Sequence, residues 1–189
     1  SSMDLGGNRI GNQMQANTEP DVARIASLYA SVRALTRELC APLSDADATI
    51  QSMPDASPAK WHLAHTTWFF ETFVLRDHVQ GYRLYDPGWP FLFNSYYEAE
   101  GARLARAARG LLSRPSLAQV LDYREAVDAA LLAALGELGP DVLAIVELGC
   151  HHEQQHQELL LTDILHAFAQ NPLQCEIDRK STRLNSSHT

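Results

Sequence analysis

The stretch Asp141-Val-Leu-Ala-Ile-Val-Glu-Leu-Gly-Cys-His151-His152-Glu153-Gln-Gln-His156-Gln-Glu-Leu-Leu-Leu-Thr-Asp163-Ile-Leu-His-Ala-Phe-Ala-Gln170 decides the fold. Its apolar residues recur at helical spacing over the whole length. Gly139-Pro140 precedes it and Asn171-Pro172 follows it, the punctuation of one long helix. Within it, His152 and His156 are four residues apart. Four residues advance about 400°, so the two imidazoles stand about 40° apart, one turn above the other. This spacing lets two histidines grip one ion. The pair shares a face with Leu148, Leu159 and Asp163, which points it toward a bundle interior. Two other readings fit the pair alone: hydrogen-bonded core histidines, or a solvated patch on a His/Gln-rich helix.

Three further helices emerge outward from this one. Pro20 to Leu39 carries Ile25, Leu28, Val32, Leu35 and Leu39 at helical spacing. A second begins at Ser57-Pro58, a capping residue followed by a first-turn proline, and runs to Gly81 with Trp61, His65, Trp68, Phe69 and Thr72 on one face. A third opens on the capping box Ser116-x-x-Gln119 and reaches about Leu138. Residues 81–93 are a Pro/Gly/aromatic loop, followed by a short basic segment with Arg103, Arg106 and Arg109. The fold class is therefore all-α: a four-helix bundle with a long crossover between helices 2 and 3. Residues 1–19 read as a disordered N-terminus, and 20–175 as the folded domain.

The last residues break the pattern. Asp178 to His188 reads DRKSTRLNSSH, polar, basic and without periodicity. It resembles the in-frame translation of a sequencing adapter, so residues 178–189 are expected to be a non-native tail.

Composition narrows the functional classes. The chain is 46% hydrophobic and 20% charged with a formal net charge of −8, and it holds no block of Lys/Arg in its body. A nucleic-acid binder would show a basic stripe, and an anionic membrane would need one too. No apolar run approaches the roughly 20 residues of a membrane span. Cys40, Cys150 and Cys175 form neither a disulfide framework nor a Cys-x-x-Cys pair. Together with an N-terminus lacking an apolar signal region, this points to a cytoplasmic protein.

His65 is the candidate third ligand. It sits mid-helix on an otherwise apolar face, and His152 and His156 wait on another inward face. A lone histidine on such a face is also what a hydrogen-bonded core residue looks like. Three neutral histidines hold one face of an octahedron and leave three positions for substrate and oxygen or water. His62 and His151 fall off these faces and read as outer or surface residues. His152-Glu153-x-x-His156 also matches the zinc-protease pattern with Glu153 as general base, but no further ligand follows in an ordered context. The arginines at 103, 106 and 109 either aim at a carboxylate or balance Glu98 and Glu100 on a solvated face. The aromatic residues Trp89, Phe91, Phe93, Tyr96 and Tyr97 read as closing the bundle end.

Four segments carry a family resemblance: Ser57-PAKWHLAHTTWFF-Glu71, Phe93-NSY-Tyr97, Arg109-GLLSR-Pro115 and His152-EQQHQ-Glu158. Together they resemble the N-terminal region of the ergothioneine-biosynthesis sulfoxide synthases over roughly residues 25–175. The resemblance implies a DinB-like bundle that holds a non-haem iron(II), Fe(2+), through His65, His152 and His156, with zinc the alternative ion. It implies substrates as well: cysteine or γ-glutamylcysteine, hercynine and O2, joined into a sulfoxide. Arg106 and Arg109 correspond, more loosely, to arginines that hold the thiol substrate's carboxylate. Family members also carry a large C-terminal domain resembling the formylglycine-generating enzyme, which completes the substrate pocket. The 189 residues contain no counterpart, so the expectation is a metal-binding fragment with little activity alone. A stand-alone DinB-like thiol transferase and a non-catalytic helical interaction domain are the alternatives.

Overall fold

The computed structural model describes residues 7–173, with side chains over 21–173. Four long helices dominate: α1 (Gly7–Cys40), α3 (Ala59–Phe70), α5 (Leu117–Ala134) and α6 (Pro140–Ala169). Two short ones, α2 (Asp45–Thr49) and α4 (Trp89–Phe93), sit in the connections. α1 packs along α6, and α3 packs against both α5 and α6. The described residues contain no strand. The bundle and the long crossover between its second and third long helices agree with the sequence reading. The tail expected over 178–189 lies outside the described residues, as does Cys175.

Local chemistry sets most boundaries. Ser116 Oγ accepts from Gln119 N–H, and Ser116 N–H donates to Gln119 Oε1, which closes the capping box of α5. Pro140 occupies the first turn of α6, where its missing N–H costs nothing. α3 continues through a π-helical segment, Glu71–Arg76, and the chain turns away at Gly81 with φ +80°, a conformation glycine takes without strain.

Four expectations need correction. α1 spans Gly7–Cys40, so the helix read as opening at Pro20 starts earlier. Ser57 does not cap α3; Pro58 holds that position and no side chain caps it. α3 does not bury one face alone, because all its residues from Ala59 to Phe70 are buried. Finally, Leu148 and Leu159 are 59% and 45% exposed, so the face they share with His152 and His156 is not the core face. The core face of α6 is Val146, Cys150, Glu153, Gln157, Leu160 and Ile164. The histidines stand on its flank.

Glu153 is the central packing residue. Its side chain is 0% exposed. Oε1 accepts from Arg33 at 2.6 Å; Oε2 accepts from Thr36 Oγ1 at 2.6 Å and from Arg124 at 3.1 Å. Arg33 also donates to Thr67 on α3 and to Asp128 on α5, and Arg124 donates to the Leu63 carbonyl. One carboxylate thereby ties all four long helices together. Burial pushes its pKa up, but Arg33 and Arg124 outweigh burial and hold it at about 2. The position read as a protease's general base is thus a structural anion, turned away from the histidine pair.

Removing it strands two buried guanidinium groups. Glu153→Ala should cost about 3–5 kcal/mol, a large part of a domain's usual stability. Urea denaturation of the variant checks this, and a loss below about 1 kcal/mol would show that the network contributes little.

Candidate metal centre

The three histidines named from the sequence lie together. One ring nitrogen from each of His65, His152 and His156 falls within 4.8 Å of the others. The ring centroids are 5.1 Å (65 to 152), 4.8 Å (65 to 156) and 4.5 Å (152 to 156) apart. They line a cavity of ≈ 380 Å³ beside the bundle, together with Ser57, Trp61, His62, Tyr96, Tyr97, Arg106 and Arg109.

Packing orients the rings. His65 stacks between Trp61, at 4.5 Å and 10°, and Trp68, at 5.5 Å and 14°. Its Nδ1–H donates to the Phe93 carbonyl at 2.5 Å, which leaves Nε2 with the free lone pair. A backbone carbonyl behind a histidine is the usual device for fixing a ligand's tautomer. His152 stacks on Phe69 at 4.9 Å. Its Nδ1 is buried and has no hydrogen-bond partner. The protein alone leaves this imidazole under-satisfied, at a cost on the order of 1–3 kcal/mol.

Electrostatics keep the set neutral. Burial depresses the pKa of all three, with the neighbouring histidines adding to the effect at His65 and His156. His156 is pushed down to about 2. Neutral imidazoles with free lone pairs are ligands rather than ion-pair partners, so the residues fit a divalent ion. Three nitrogens alone do not select iron over zinc, copper or nickel.

The arginines divide. Arg109 is buried; its guanidinium carbon sits 3.5 Å above the Trp61 ring and Nη1 donates to Ser57 Oγ at 2.9 Å. His65 already covers one face of Trp61, so Arg109 takes the other. Its Nε has no partner, and among the described residues it forms no ion pair. Burial, with Arg106 nearby, lowers its pKa to about 10. A buried cation without an ion-pair partner beside an open cavity has donor capacity left for an anionic group. Arg106 is exposed at the cavity edge and donates to the Asp55 carbonyl, while Arg103 is exposed and outside the cavity lining.

The sequence reading missed several contributors. His62, read as an outer residue, is 3% exposed and touches both His156 and Asp163. Ser57 serves Arg109 and, through its N–H, Asp163. Tyr96 and Tyr97 line the cavity instead of merely closing the bundle end, as Trp89 and Phe93 do. A signal for His62 existed: Lys60 is the only charged residue between Ala59 and Phe70, too little for a solvated face.

Residues 28–160 match the profile of the DinB superfamily. The chain belongs to the DinB superfamily. No curated protein matches it significantly. Among the described residues of this superfamily member, no helix is long and apolar enough to cross a membrane.

A bound ion raises stability by RT ln(1 + [L]/Kd), about 2.7 kcal/mol at a hundredfold excess. For a domain of this size that corresponds to a rise in Tm of roughly 5–10 °C. Wild type loaded anaerobically with iron(II) should show this rise and one equivalent of metal, and His156→Ala neither. Equal Tm values for wild type with and without metal would leave the three histidines as packing residues.

Proposed function

We propose that this DinB-superfamily chain is the iron-binding part of an ergothioneine-biosynthesis sulfoxide synthase, acting on cysteine or γ-glutamylcysteine, hercynine and O2. One observation carries the reading. The four segments that resemble those enzymes are far apart in sequence, and each contributes to one cavity: His65 with Trp61, Tyr96 with Tyr97, Arg109, and His152 with His156. A generic DinB-like bundle, typically metal-binding, requires the histidines but not the other two groups.

The chain's own residues account for binding. His65, His152 and His156 would hold iron(II), which when bound supplies a Lewis-acid and redox centre for a thiolate and oxygen. Arg109, stacked on Trp61 and oriented by Ser57, would take the substrate carboxylate, with Arg106 at the edge as a second, solvated cation. Arg109 and the three histidines line the same cavity of ≈ 380 Å³, so the carboxylate and the thiol of one substrate could reach different walls of it. Tyr96, 73% exposed, and the exposed Leu159 line the cavity and give it an amphipathic rim. A C-terminal domain like that of the formylglycine-generating enzyme would cover this rim and complete the pocket, which is why turnover by these residues alone should be slight.

The second reading, a metal-dependent thiol transferase, shares the metal and the carboxylate site. A zinc ion would lower the thiol's pKa and the nucleophile would attack an electrophile without O2. The three-imidazole donor set favours it as much as iron.

Calorimetry of the anaerobic iron(II) protein with γ-glutamylcysteine tests the shared part. Binding should weaken at least tenfold in Arg109→Leu, the loss of one charge-assisted pair. Failure of the metal-loaded wild type to bind either thiol would refute both readings. Mass spectrometry of aerobic mixtures with hercynine separates them. A sulfoxide product that appears on adding the C-terminal domain of a sulfoxide synthase supports the synthase; oxygen-independent thiol transfer supports the transferase.

A further inference from the structure

The three-histidine cluster has a fourth histidine behind it. His62 Nδ1 lies 2.9 Å from His156 Nδ1, and His62 Nε2 lies 2.8 Å from Asp163 Oδ2. His62 is 3% exposed, and the side chain of Asp163 is 15% exposed. Asp163 Oδ2 also accepts from the Ser57 N–H at 3.0 Å, so the carboxylate is pinned from two sides.

The direction of each hydrogen bond follows from what the groups can do. A carboxylate only accepts, so His62 Nε2 carries a proton and donates to it. His156 Nδ1 is taken up by this contact, so Nε2 is the nitrogen that His156 has left to offer a metal. A neutral imidazole that offers its Nε2 lone pair carries its proton on Nδ1, so His156 Nδ1–H donates and His62 Nδ1 accepts. Nε2 is the nitrogen free to turn toward His65 and His152.

We infer that His62 is a positioning residue: the chain Asp163–His62–His156 fixes His156 in the Nδ1–H tautomer and aims its Nε2 at the metal. The inference rests on the three-histidine metal reading above. It gives the two best-fixed ligands different supports. His65 is locked by a backbone carbonyl, which no side-chain substitution removes. His156 is locked by a side-chain relay anchored about two α6 turns away, at Asp163. His62 itself lies three residues before His65 on α3, so the relay also ties the two ligand-bearing helices together at the site.

Zinc serves as a diamagnetic probe of this arrangement. Long-range 1H–15N spectra of zinc-loaded, 15N-histidine-labelled wild type should show His156 protonated on Nδ1 and bound through Nε2. His156 bound through Nδ1 would overturn the inference, and this readout needs no variant to fold. His62→Leu should weaken zinc affinity roughly 10- to 100-fold, the usual effect of losing such a partner. His62→Asn, whose Oδ1 can stand where Nδ1 stood and accept from His156, should recover most of that loss. A folded His62→Leu with the wild-type zinc Kd would overturn the inference while leaving the metal site intact. Wild type that binds no zinc or iron(II) would instead remove the metal reading itself, and the relay's role with it.

Discussion

Glu153 is a carboxylate sealed inside a helical bundle, and the bundle's geometry depends on keeping it paired. An isolated buried carboxylate would cost several kcal/mol, so the chain must deliver two guanidinium groups and a hydroxyl to one point. Arg33 and Thr36 come from α1 and Arg124 from α5. The outer donors of the arginines reach α3. Such a network contributes little net stability compared with an apolar core of the same shape, but it is intolerant of misregistry. A rotation of α6 by one residue would expose the carboxylate to hydrocarbon and leave both arginines unpaired. Gly149, one turn earlier, adds a steric constraint: a Cβ there would lie 2.4 Å from Phe70. Charge pairing and close approach therefore fix the same helix in the same orientation.

That orientation places the histidines. With Glu153 locked inward, His152 and His156 are turned to the flank of α6, where α3 brings His65 opposite them. The metal face and the ionic core occupy neighbouring sectors of one helix, and a residue's step of about 100° separates them. The rings are then held by aromatic stacking and by neutral hydrogen bonds rather than by carboxylates in direct contact. A site built this way stays uncharged while empty and keeps its lone pairs for an ion.

Much of this was legible in the sequence because it depends on spacing. The helix ends, the Ser116 capping box, the four-residue interval between His152 and His156, and the odd presence of His65 among tryptophans are all local features. What was not legible depends on which sector of a helix faces which neighbour. Leu148 and Leu159 look like core by composition, yet they are exposed, because the polar residues Glu153 and Gln157 took the interior. Ser57 looks like a cap, but tertiary partners at Arg109 and Asp163 outcompete the local hydrogen bond. His62 looks like a surface residue only if α3 has a surface face. It has none, since α1, α5 and α6 all contact it along with the crossover's α4.

The contrast between the buried cations separates structural from ligand-seeking charge. Arg33 and Arg124 each meet a carboxylate at 3.1 Å or less, and each donates to further oxygens, Thr67 Oγ1 for Arg33 and the Leu63 carbonyl for Arg124. Their charges are spent on the fold. Arg109 is buried to a similar degree, but its only described side-chain partner is the neutral hydroxyl of Ser57, and its Nε faces no acceptor. Stacking on Trp61 recovers part of the desolvation cost, on the order of 1–2 kcal/mol, and no more. A protein that pairs two buried arginines with a carboxylate and leaves a third, among the described residues, without one keeps a positive charge in the cavity that the three histidines line. The same asymmetry that makes Arg109 a poor contributor to stability is what leaves its guanidinium free for an anionic group, as the proposed carboxylate site requires.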